Sequence, residues 1–210
     1  MSTAKNGPGA PVYKITQFTG IPASMLVHLV ITAHDDPAAQ RQALAELAKL
    51  SPQRRGSHLI LALRHMVEQP QRYEPDIMAS IVELLATDPS PDATRAMIEV
   101  LPAIARAQKK GIGPLTLDLR AYFYQALATR RRDTDHEVWR EMLPRLSGET
   151  LVDLLTDPAA EQIRELLSPM TLIKHLPREQ RCQALRDVLL TGNVGQSLAA
   201  LRLLLKDTTA

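Results

Sequence analysis

The sequence is poor in the residues on which most protein chemistry depends. Its 210 residues hold a single cysteine, Cys182, and aromatic side chains make up only 3%. One thiol can close no internal disulfide and build no cysteine-based metal cluster within a chain. A reducing compartment follows, with cytoplasmic residence as the expectation. No run approaches the roughly 20 apolar residues that a bilayer-spanning helix needs, and the N-terminus lacks the basic-then-apolar order of a secretory signal peptide. Neither sign of charge dominates: 25 Lys and Arg stand against 23 Asp and Glu, a formal net charge of +2. That balance provides no field of the size a dedicated nucleic-acid binder carries.

Signatures of catalysis are missing too. There is no Gly-x-Ser-x-Gly elbow, no Gly-x-x-x-x-Gly-Lys phosphate loop and no G-x-G-x-x-G after a strand. Gly192-Asn193-Val194-Gly195 is too short to stand in for one. Of the six histidines, His58 and His65 share a face of one predicted helix, but the tighter His-Glu-x-x-His spacing of a zinc site is absent. His34 beside Asp35 and Asp36 is explained by helix-end and cap roles. Cys182 beside Arg181 has no readable histidine partner. No catalytic residue, cofactor or metal is therefore expected.

What the sequence has is proline, 15 of them, placed where helices begin. Inside a helix proline costs about 3 kcal/mol, whereas at the first helical position its missing N–H and fixed φ are favourable. Asp36-Pro37, Ser51-Pro52, Ser90-Pro91, Asp157-Pro158 and Ser168-Pro169 each set a capping acceptor directly before a proline. Glu74-Pro75 and Leu176-Pro177 are weaker versions; Asn193 and either Thr134 or Asp135 are further candidate caps. Apolar residues recur at three- and four-residue steps behind these starts, as in Ala43, Leu44, Leu47 and Leu50, or Ile77, Ile81, Leu84 and Leu85. No segment alternates with period two, so no strand is expected.

The reading is an all-α chain of about eleven or twelve short helices. Residues 1–19 are read as a tail, since Met1 to Lys14 is small, polar and rich in Gly and Pro and cannot offset its ordering entropy by burial. Such a tail also fits a chain exported, without a cleaved signal peptide, by a bacterial secretion system. Residues 20–210 are read as one helical domain, with a possible sub-boundary at the Gly-containing loop 109–114.

The segment from Asp35 to Leu50, DDPAAQRQALAELAKL, resembles the inner half of a HEAT-type repeat, with weaker echoes beginning at Asp88, Asp133 and Asp157. The resemblance implies a right-handed α-solenoid in which Asp and Arg side chains link successive repeats. Those roles would fall to Asp36 with Arg41, Asp88 or Asp92 with Arg95, and Asp135 with Arg140. It further implies a non-catalytic scaffold that binds a protein partner. Spacing among Arg41, Arg95, Arg140 and Arg164 is uneven, whereas HEAT repeats run about 40 to 47 residues, so an irregular helical bundle stays open as the alternative.

Basic runs at Arg54-Arg55, Lys109-Lys110 and Arg130-Arg131-Arg132 fit helix-end solvation. A nucleic-acid reading, including action on damaged DNA, requires them to converge on one groove. Tyr122, Tyr124, Arg130, Arg131, Arg132, Trp139 and Arg140 form the densest candidate partner-binding stretch, with Trp139 either a buried anchor or an interface hot spot and Phe123 read as core.

Overall fold

The computed structural model describes residues 20–109, 117–191 and 200–201, and side chains for 20–106, 120–190 and 200–201. Among the described residues the α-helices are, in chain order, α1 (Ala23–Thr32), α2 (Pro37–Lys49), α3 (Pro52–Glu68), α4 (Pro75–Ala86), α5 (Pro91–Glu99), α6 (Leu101–Lys109), α7 (Leu117–Ala128), α8 (Asp133–Met142), α9 (Gly148–Thr156), α10 (Glu161–Leu167), α11 (Pro169–Lys174) and α12 (Arg178–Thr191), with residues 200–201 helical as well. Three short 3₁₀ turns, Pro70–Arg72, Leu143–Arg145 and Pro158–Ala160, lie between them. No strand occurs among the described residues, and the chain is all-α.

The acceptor-Pro signature marks where helices open. Pro37, Pro52, Pro75, Pro91 and Pro169 each begin one. The Asp36 carboxylate accepts from the Ala39 amide at 3.0 Å and the Ser90 hydroxyl from the Ala93 amide at 3.3 Å, closing donors that the first turn leaves open. Three starts differ in detail: Ser51 makes no side-chain cap although α3 opens at Pro52. Asp157 caps the 3₁₀ turn by accepting from the Ala159 amide at 2.9 Å, and α10 opens only after it. Ser168 makes no side-chain cap and sits at φ 65°, in the left-handed region, at the junction where α10 ends and α11 begins. Asp135 is not the cap of α8 but lies in its first turn, accepting from the Arg132 amide at 3.2 Å. Asn193 and the loop 110–114 lie outside the described residues.

Packing runs along the chain in rows. In one row α1 meets α3, α3 meets α5 and α5 meets α8; in a second α2 meets α4, α4 meets α7 and α7 meets α10; α6, α9 and α11 form a third. From α1 to α7, and again at α9, a helix thus packs on one two or three places onward, and the core is continuous from Leu26 and Val30 through Ile81, Met97 and Leu127 to Ile163 and Leu172.

A second device recurs at the turns. Arg55 donates to the Ala48 carbonyl at 2.7 Å, Arg164 to that of Asp157 at 2.6 Å, and Arg181 to that of Lys174 at 3.4 Å. In each case an arginine of one helix reaches a carbonyl seven residues upstream, where the preceding helix has run out of internal donors. A cation at a helix C-terminus is also favoured by the dipole.

Candidate partner-binding surface

The stretch richest in candidate contacts divides between interior and surface. Arg130, expected at a partner interface, is 3% exposed. Its guanidinium donates to the carbonyls of Leu85 at 2.7 Å, Asp88 at 2.7 Å and Ser90 at 2.8 Å, and to the Thr94 hydroxyl at 2.5 Å. Thr94 in turn donates to Asp135, and Asp135 faces Arg130 at 3.3 Å. Four helices, α4, α5, α7 and α8, meet on this one side chain. Burial pulls the Arg130 pKa down from its ordinary value while Asp135 pushes it up. Trp139 and Tyr124 are buried as well, at 1% and 3% exposure, so both are core and not contact residues. Burial raises the Tyr124 phenol to about 12. Arg131, Arg132 and Arg140 are exposed and Tyr122 is half-buried.

Of the pairs the resemblance implies, Asp92 with Arg95 is present, within α5, whereas the other residues take other partners. Asp36 is spent on its cap, and Arg41 reaches Glu74 and Asp76 at the start of α4, the latter at 2.7 Å. Arg95 binds Asp92 at 3.0 Å and Glu141 of α8 at 2.8 Å. Asp135 is held by Arg130 and Thr94, not by Arg140. Arg64 with Glu99 at 2.7 Å adds a rung between α3 and α5. These pairs are exposed to solvent and screened by it, so they orient neighbouring helices more than they stabilise the fold.

Between α2 and α4 the surface is grooved. A hollow of about 240 Å³ has Leu44 and Leu84 at its floor, the small Ala45 and Ala48 on one wall, and Ser80 and Glu83 on the other. Small residues let a neighbouring side chain approach the helix backbone. Tyr122 continues this face onto α7, its phenol pushed up by burial and then by the neighbouring Glu83 carboxylate. Apolar floor and charged rim is the arrangement of a groove that takes a helix or loop of another protein.

The remaining concentration of titratable groups is a stack of rings near the N-terminal end. His34 lies 6.5 Å from His65 in parallel and 5.3 Å edge-on from Tyr73. Tyr73 donates to the Ile31 carbonyl at 3.1 Å and sits 2.7 Å from His65 Nδ1, which ties the end of α1 to α3. His58 is not part of the stack. Among the described residues no three His, Cys, Asp or Glu side chains converge as metal ligands. Burial, then Arg72 and His65, hold His34 below its usual pKa, against a smaller upward pull from Asp35. Folding therefore favours neutral His34. Below about pH 6.5, the ordinary value, the unfolded chain takes up the proton first, so stability should fall as pH drops through that value and hold steady above it. Urea midpoints at pH 7.5 and 5.5 would check the sign, and His34→Gln should flatten the difference.

Cys182 is half-buried in α12. No helix among the described residues is long and apolar enough to cross a membrane. The chain matches no family model, no curated protein and no solved structure.

Proposed function

We propose that the chain is a non-catalytic protein-binding module, a degenerate helical-repeat scaffold of HEAT-like type, whose working surface is the α2, α4 and α7 face. The observation that supports this reading is the groove between α2 and α4, apolar at its floor and bounded by Arg41 and Glu83. Stacked helices that pack each on the next present such faces over a long span and need no reactive side chains to use them. The nucleic-acid alternative loses its central residue, since Arg130 spends its donors on carbonyls of α4 and of the turn after it.

Ala48→Glu places a carboxylate in the groove from an exposed position and should leave the melting temperature unchanged. The tagged chain, purified from its native cell, should retain a protein at fixed stoichiometry, and Ala48→Glu should reduce that retention by about tenfold. An unchanged protein set with Ala48→Glu would overturn the groove as the working surface. Nuclease-sensitive material whose binding weakens steeply with salt would replace this function with the nucleic-acid one.

A further inference from the structure

We propose that the groove between α2 and α4 takes a basic amphipathic helix of a protein partner, its apolar stripe on Leu44 and Leu84 and an arginine or lysine paired with Glu83. This rests on the groove as the working surface and adds the chemistry of the segment that enters it.

The charges around the groove are unequally spent. At one end Arg41 is bound by Glu74 and Asp76, and its guanidinium holds the Asp76 carboxyl below the usual range. At the other end Glu83 is exposed and makes no ion pair among the described residues. The cations that end α2 and begin α3 are used elsewhere. Lys49 pairs with Glu46 at 2.6 Å, and Arg55 donates to the Ala48 and Leu50 carbonyls and to the Thr87 hydroxyl. One cation, Arg41, thus stands against three carboxylates, Glu74, Asp76 and Glu83, and the unanswered charge is negative.

Helix direction favours the same sign. Arg41 meets Asp76 near the starts of α2 and α4, while Ala48 lies with Glu83 and Leu84 near their ends. The two helices therefore run parallel along the groove, and both carbonyl ends lie at the Glu83 end, where the dipoles favour a cation. A phosphate backbone brought to this face would meet carboxylates instead of the cations it needs.

The floor selects the form of the ligand. At about 240 Å³ the hollow is smaller than the roughly 300 to 1,000 Å³ of small-molecule sites, and it suits single side chains of a larger partner. Its walls are helices with no sheet edge to receive an extended segment, whose amides would lie unpaired over Leu44 and Leu84. A helix brings its amides already bonded and sets apolar side chains at three- and four-residue steps. Ala45 and Ala48 let it come close. Tyr122 flanks the carboxylate, its phenol kept in the neutral, donating form by burial and then by Glu83.

The full chain is titrated with a stapled, amidated helical peptide that carries leucine and alanine on one face and one arginine at their border, read by fluorescence anisotropy of a label on the peptide. Its twin has glutamate in place of that arginine. The arginine peptide is expected to bind about tenfold more tightly than its twin, a difference within the range of a close charge pair. Glu83→Gln should abolish the preference and Glu83→Arg should invert it. Ala48→Gln, which brings the bulk of Ala48→Glu without its charge, should weaken both peptides. No saturable binding of the arginine peptide, or a preference that Glu83→Arg leaves in place, would overturn the proposal. If the twins bind equally and Ala48→Gln weakens both, the basic partner falls and the groove stands. If both bind and Ala48→Gln weakens neither, the groove falls with it.

Discussion

Replacing Arg130 by alanine should destabilise the protein by about 3 to 5 kcal/mol, the cost of breaking a buried ion pair by removing one partner. The reason lies in what stays behind. Asp135 is fully buried and would keep its charge with only Thr94 and the Arg132 amide for company, while the carbonyls of Leu85, Asp88 and Ser90 would each lose the guanidinium, Leu85 keeping the Asp88 amide. Because these groups belong to α4, α5, α7 and α8, the damage should show as loss of cooperative unfolding and not as a local fraying. Arg130→Lys should recover only part of the loss, since one ammonium cannot reproduce a planar fork that serves several acceptors. Chemical denaturation followed by far-UV circular dichroism would check both. An Arg130→Ala protein as stable as the parent would remove the hub assigned to this side chain.

Trp139→Ala should cost a similar amount, about 3 to 5 kcal/mol, through the cavity left by a large buried ring. Trp139→Phe separates packing from polarity. The indole Nε1 has no hydrogen-bond partner, so phenylalanine gives up area without abandoning a bond and should cost clearly less than alanine. Thermal melts of the pair settle the ordering. If Trp139→Ala left stability unchanged and reduced only the retention of a partner protein, the residue would be an interface anchor after all.

How far these features can be read without coordinates depends on their range. A proline behind an acceptor acts within one turn, so Asp36-Pro37, Ser51-Pro52 and Ser90-Pro91 declare their helices locally, and the all-α class follows from them. Arg130 is different. Among three consecutive arginines after α7, the inward one is selected by carbonyls more than forty residues upstream, and no local pattern distinguishes it from Arg131 or Arg132. The same holds for Trp139 and Tyr124, whose type allows either core or interface and whose environment is set by other rows of helices. Asp135 with Arg140 was a pair only by the HEAT-type resemblance; Asp135 instead bonds Thr94 of α5 and faces Arg130. The groove between α2 and α4 had a faint signal in Ala45 and Ala48, small residues on an otherwise leucine-bearing helix. The close approach of the Asp88 carboxylate to α3 had one in Gly56, an isolated glycine inside a helical pattern.

The arginines that reach back seven residues have a consequence for how the chain opens. Each binds the end of one helix to the beginning of the next, so the two exchange their amide hydrogens as a unit and not separately. Arg55 and Arg164 each hold two carbonyls in this way. Amide protection in the last turn of α2 should therefore rise and fall with that in the first turn of α3, and protection at the end of α9 with that in α10, so each junction opens as one hinge.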